Sequence, residues 1–141
     1  MYEPQLERMS RERLDALQLR RLGEVLRRAS ERMSFYRQRF EALDVAAEDL
    51  TSVDALRQLP FTTKGDLREH YPFGFFALPM EKIRRLHASS GTSGTPTVVG
   101  YSAGDLELWA GLMARSLMAG GARPGDIVHN AYGYGLFTGG L

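Results

Sequence analysis

A run rich in small and hydroxylated residues, S-S-G-T-S-G-T-P-T, covers positions 89–97. It follows the alternating stretch 83–87 and leads into the β-branched residues 97–99, a pattern that predicts a strand near 83–87, a loop and a second strand near 97–101. None of these side chains can pack a core, and glycines at 91 and 94 leave neighbouring backbone amides open. Closely spaced N–H and hydroxyl donors suit a phosphate ligand. The alternative is a Ser/Gly hairpin turn that binds nothing.

Two common phosphate-binding motifs do not fit this run. Counting from Gly91, the sixth position of a G-x-x-x-x-G-K loop is Pro96, and no lysine follows. A dinucleotide fingerprint begins at Gly133 but has Thr138 in place of its third glycine. The remaining pattern, [ST]-[ST]-G-[ST]-[ST]-G-x-P-[ST], resembles the phosphate loop of the adenylate-forming acyl-CoA synthetase superfamily.

The flanking residues narrow the resemblance to the phenylacetate–CoA ligases. The blocks that carry it, in chain order, are 59–68, 71–74, 98–101 and the aromatic-glycine tract 132–140. The resemblance implies an α/β fold: the N-terminal part of the large domain of an adenylate-forming enzyme, with helices followed by strands that flank the loop. It divides the chain into an N-terminal helical region, 1–80, and the start of the nucleotide- and substrate-binding subdomain, 81–141.

The resemblance also implies an activity and two sites. The activity is ATP-dependent, AMP-forming ligation of phenylacetate to CoA through an acyl adenylate. The residues expected to hold the β- and γ-phosphates of ATP are Ser90, Gly91, Thr92, Ser93, Gly94 and Thr95, with Thr95 where the superfamily often has lysine. The residues expected to line the aryl pocket are Tyr132, Tyr134 and Phe137. For these aromatics the alternative is a glycine-rich turn whose rings fill the core.

Several parts of such an enzyme are expected outside this chain. Family members use ATP, Mg²⁺ and CoA as co-substrate, but their Mg²⁺ ligand and catalytic lysine lie in later motifs, and neither Lys64 nor Lys82 sits in a matching motif. We therefore expect an N-terminal portion that has no turnover alone. His70, His87 and His129 share no metal-ligand spacing, which predicts no metal site here. His87 could touch the nucleotide, although a strand histidine satisfied by the backbone is the simpler interpretation.

Other functions stay open at this point. The parent could act on another aryl acid, such as benzoate, or the chain could be a non-catalytic nucleotide-binding or interaction module. Residues 1–40 hold ten arginines against six acids, which raises the possibility of nucleic-acid binding. We prefer a solvated helix face with ion pairs, such as Glu24 with Arg27 and Arg28, and hence no nucleic-acid partner.

Composition limits the class of protein. The 141 residues are 43% hydrophobic and contain no cysteine, which excludes disulfides and thiolate metal sites. We find neither an apolar run long enough for a membrane span nor a signal peptide, and we predict a cytoplasmic protein without a membrane partner. Because an unfinished sheet would expose an edge, we also predict self-association of this piece or a homodimer of its parent.

Periodicity predicts the main elements. A helix over about 11–33 begins at an N-cap Ser10, and Ser34 caps the next helix. Thr51 and Thr63 open capping boxes. A helix over 105–119 ends at Gly120-Gly121, and a short strand covers 127–131. The apolar stripe expected to face the core in that helix consists of Leu106, Trp109, Ala110, Met113 and Leu117.

Overall fold

The computed structural model describes residues 2–46, 49–89, 95–129 and 131. The α-helices are α1 (Pro4–Glu7), α2 (Arg11–Arg32), α3 (Ser34–Ala42), α4 (Lys64–Glu69) and α5 (Ala103–Ala119). The strands are β1 (Ile83–Ala88) and β2 (Val98–Ser102), and short 3-10 helices cover Val53–Gln58 and Met80–Lys82. By internal contacts the chain divides into a helical unit, Ser10–Pro79, and a hairpin unit, Met1–Met9 with Met80–Leu141. A contact unit is not by itself a domain, so the division after residue 80 stays a prediction.

Helix α2 forms where the periodicity predicts it. The Ser10 side chain accepts a hydrogen bond from the Arg13 N–H at 3.4 Å, which satisfies one of the free amides at the helix start. Its apolar face meets α3 around a small core of Leu26, Phe40 and Leu50. The outer face instead carries exposed arginines. The expected ion pairs of Glu24 are wrong: within the described ranges, the ion pair of α2 joins Arg11 and Asp15 at 2.6 Å.

Phe35 on α3 is the centre of an aromatic cluster in the helical unit. Its buried ring contacts three others at centroid distances of 5.0 Å (Tyr36), 5.1 Å (His70) and 4.8 Å (Phe75). The Arg39 guanidinium lies 4.3 Å from the centroid of the same ring. The segment after α4 is therefore fixed to α3 by ring contacts.

The capping box predicted at Thr63 is confirmed at the start of α4. The Asp66 N–H donates to Thr63 Oγ1 at 3.2 Å, and the Thr63 N–H donates to Asp66 Oδ2 at 2.6 Å. Arg39 pairs with the other carboxylate oxygen at 2.8 Å. The hydrogen bonds from Thr63 lower the pKa of Asp66, and the Arg39 and His70 charges act in the same direction. The ionised carboxylate thus stabilises both the helix start and its attachment to α3.

The hairpin unit consists of an antiparallel pair of strands followed directly by a helix. Strands β1 and β2 pair with an irregularity between Ile83 and Arg85. Helix α5 begins at the residue after β2, and its Arg115 pairs with Glu3 at 3.2 Å. This ion pair fixes the first residues of the chain to α5.

Some predictions of local structure are wrong. Thr51 opens no capping box; a 3-10 helix follows Ser52, whose side chain makes no capping bond. Ser34 is the first residue of α3, and Met33 is its N-cap. Residues 127–129 and 131 form no strand, and Ile127 is fully exposed. A strand needs a hydrogen-bonded neighbour, and the described part of this unit places none beside them.

The apolar stripe of α5 is only partly covered. Trp109 packs against the hairpin, whereas Met113 and Leu117 are 50% and 49% exposed, so the expectation that they face a core is wrong in this structure. Two short strands cannot cover a helix of five turns. Among the helices described here, none is both long enough and apolar enough to cross a bilayer.

Candidate functional site

The stem of the predicted phosphate loop is an antiparallel ladder. Its last rungs pair His87 with Val99 and Ala88 with Val98. Beyond them, the Ser89 N–H donates to the Thr97 carbonyl at 3.0 Å, and the Thr97 N–H donates to Ser89 Oγ at 3.1 Å. Ser89 and Thr97, which flank the segment 90–96, are therefore hydrogen-bonded to each other. We call residues 89 and 97 the clamp.

An aromatic cluster packs on one face of this stem. The rings of His87 and Tyr101 lie 5.2 Å apart edge to face, and Trp109 stacks on Tyr101 at 5.3 Å. His87 also meets Trp109 at 5.7 Å and is only 3% exposed. The cluster joins both strands of the stem to α5.

The start of α5 is fixed immediately after the stem. Ser102 ends β2 and caps α5: its Oγ accepts from the Asp105 N–H at 3.2 Å, and its N–H donates to Asp105 Oδ2 at 2.8 Å. Sequence analysis placed the helix start at Asp105 and missed this capping box, which the S-x-x-D pattern would have indicated. Strand β2 therefore passes into α5 without a connecting loop.

The predicted site residues lie mostly outside the described residues. Of the phosphate-loop set, Ser90, Gly91, Thr92, Ser93 and Gly94 are outside, and Thr95 is described and exposed. The aryl-pocket residues Tyr132, Tyr134 and Phe137 are also outside. Both assignments stay predictions. The structure also shows the clamp and the aromatic cluster on the stem, and the sequence predicted neither of these two groups of contacts.

The sequence contains a partial signal for the aromatic cluster. Residues 85 and 87 share one face of the first predicted strand, and 99 and 101 share one face of the second, because side chains alternate from one residue to the next. Ser89 lay outside both predicted strands, at the start of the predicted loop. The partners of these residues across the ladder depended on a register that the sequence alone did not fix.

The chain is similar to known proteins in both fold and sequence. No protein-family model matches the chain. A 2-hydroxyisobutyryl-CoA ligase, solved with 2-HIB-AMP and CoA in its thioesterification state, superposes with a TM-score of 0.78 at 37% identity, covering 87% of this chain and 27% of that one. An open conformation of that ligase gives a TM-score of 0.77 at 34% identity, covering 87% of this chain and 29% of that one. The fold is thus that of the adenylate-forming CoA ligases, and the predicted α/β fold is confirmed.

Proteins similar in sequence narrow the family further than the similar structures do. The phenylacetate-coenzyme A ligase of Thermus thermophilus is 54% identical over 141 residues, 100% of this chain. Those of Aromatoleum evansii and Escherichia coli are 56% and 52% identical, each over 96% of this chain. The chain spans about a third of their length, namely 32%, 31% and 31%. Over the part that it spans, the chain belongs to the phenylacetate-coenzyme A ligase family, and the predicted resemblance is confirmed.

Proposed function

We propose that this chain is the phosphate-binding part of a longer ligase that joins phenylacetate to CoA. In this reaction the carboxylate attacks the α-phosphorus of ATP, pyrophosphate leaves, and the CoA thiol displaces AMP from the acyl adenylate. The observation that carries the proposal is identity of 52–56% to phenylacetate-coenzyme A ligases over almost the whole chain. Because the chain spans about a third of their length, the activity is proposed for the complete protein.

The role proposed for this chain is to bind the leaving pyrophosphate. Backbone amides and hydroxyls of residues 90–95 donate hydrogen bonds to the β- and γ-phosphates and stabilise the charge that develops as the bond to the α-phosphorus breaks. The clamp supports this role, because it hydrogen-bonds Ser89 to Thr97, the two residues that flank the proposed phosphate-binding segment. Glycines at 91 and 94 allow the loop to move when pyrophosphate departs.

The aryl acid is proposed to bind against Tyr132, Tyr134 and Phe137. A phenyl ring is best held by apolar walls and by edge-to-face aromatic contacts. Within the described residues, no group of three or more histidine, aspartate or glutamate side chains is placed to bind a metal ion. No step is therefore assigned to Mg²⁺ here, and its ligands stay a prediction for residues outside this chain.

The direct test is pyrophosphate release by the complete ligase, meaning the protein translated from the whole reading frame that contains this sequence. With ATP and phenylacetate we expect pyrophosphate and an acyl adenylate, and CoA should convert the adenylate to a thioester with release of AMP. The 141-residue chain alone should release none. Absence of phenylacetate-dependent pyrophosphate release from the folded complete protein would overturn the proposal. Activity with benzoate but not phenylacetate would keep the ligase and change its substrate.

A chimera tests the role of this chain separately. The matched residues of the Thermus thermophilus ligase are replaced by this chain, to which they are 54% identical. We expect a chimera that folds to retain phenylacetate-dependent pyrophosphate release. A folded chimera without that activity, beside an active parent, would show that this chain does not perform the role. Location in the cytoplasm and self-association stay predictions.

A further inference from the structure

His87 occupies an unusual place in the hairpin unit. Among the residues that the structure describes, it is the most deeply buried polar residue, and only 3% of it is exposed. Its ring lies edge to face against Tyr101 and Trp109 at 5.2 Å and 5.7 Å. The His87 ring is therefore enclosed by rings from two other elements of the hairpin unit.

The location of His87 connects the aromatic cluster to the start of the loop. His87 pairs with Val99 in the ladder and lies two residues before the clamp residue Ser89. Tyr101 belongs to the opposite strand and Trp109 to α5, so the His87 ring connects its own strand, β1, to two other elements beside the loop. A displacement of His87 would move the stem at the point where the loop begins.

We propose that His87 is a positioning residue for the phosphate loop, a role that rests on the proposed function of that loop. Its ring, packed between Tyr101 and Trp109, fixes the stem against α5. Binding of a phosphate orders the groups that contact it, and a stem that is already fixed reduces the conformational entropy lost in this step. His87 therefore increases affinity for ATP without contacting the aryl acid.

The experiment compares variants of the complete ligase by steady-state kinetics. In His87→Ala, we expect the KM for ATP to rise about tenfold, because small displacements of positioned groups have large kinetic effects. The KM for phenylacetate should stay within about twofold, since no phosphate contact contributes to it. His87→Phe retains an edge-to-face ring and should hold the KM for ATP within about threefold of the wild type.

Leu86→Ala is the matched control. Leu86 is the preceding residue of β1, is half-buried and faces the opposite side of the hairpin. Its truncation also removes packing, so it should lower the thermal midpoint while leaving the ratio of the two KM values unchanged. If His87→Ala does not fold, Tyr101→Leu removes the same ring contact from β2 and should raise the KM for ATP at least about threefold.

The outcomes separate the two proposals. An inactive wild type is a failure of the proposed function. An active wild type combined with an unchanged KM for ATP in His87→Ala, or in Tyr101→Leu where the first variant is unfolded, overturns the role of His87 alone. Equal shifts of both KM values in His87→Ala and Leu86→Ala would also overturn it, because they would indicate general loss of structure.

Discussion

Replacement of Phe35 tests the organisation of the helical unit most sharply. The Phe35→Leu substitution keeps an apolar side chain but removes three ring contacts, at 5.0, 5.1 and 4.8 Å, and the Arg39 contact at 4.3 Å. Each ring pair contributes about 0.5–1.5 kcal/mol beyond burial, and an exposed cation–π contact about 0.5–1 kcal/mol. Since contacts that share one ring are not additive, we expect a loss of about 2–3 kcal/mol.

The expected loss corresponds to a thermal midpoint lower by about 8–12 °C, taking about 4 °C for each kcal/mol in a chain of this size. Circular dichroism at the helix band measures the midpoint, and hydrogen exchange of the α3 amides places the change in the helical unit. Phe73→Leu is the matched control. Phe73 is 45% exposed, and its ring contact among the described residues is with Phe76 at 5.2 Å, so it should lose less than about 1 kcal/mol. Equal losses in both variants would refute the central role of Phe35.

Three further predictions concern the same unit. The folded state lowers the pKa of Asp66, so its carboxylate stabilises the fold above the ordinary value of 3.8 and this contribution disappears as the pH falls through the lowered value. Asp66→Asn should therefore reduce the urea midpoint at neutral pH, and the difference from the wild type should shrink below pH 3.8; a constant difference would contradict the assignment. Gly74→Ala should destabilise by about 1–3 kcal/mol, because its Cβ would lie 2.7 Å from the His70 carbonyl oxygen. Gly23→Ala, whose Cβ meets nothing within 4 Å in a helix, should instead stabilise by about 0.5–1 kcal/mol in the same denaturation assay.

Local signals in the sequence predicted the elements that carry their own hydrogen bonds. Ser10 and Thr63 were expected to start helices and do so, because capping depends on residues within one turn. Strand positions near 83–87 and 97–101 were also confirmed. The predicted strand at 127–131 failed, because a strand is defined by a partner that a local pattern does not reveal.

The candidate site also has features that local sequence signals predicted and features that depend on contacts between elements. A composition signal identified the segment from Ser89 to Thr97, and the comparisons confirmed the family that its flanking blocks indicated. The clamp across that segment could not be predicted, since it depends on the register between β1 and β2. The exposure of Met113 and Leu117 was also missed, because helical spacing shows which face is apolar but not what covers it.

The most direct test of the account is to change the loop itself in the complete ligase. Gly91→Val with Gly94→Val places branched side chains where backbone amides are proposed to meet the phosphates. We predict that kcat/KM for ATP falls by at least about a hundredfold, as expected when donors to a developing anion are lost, while phenylacetate binding measured by calorimetry is retained. Arg84→Gln, at an exposed position of β1, is the control and should match the wild type. Unchanged ATP kinetics in the folded double variant would contradict the claim that this loop binds the phosphates.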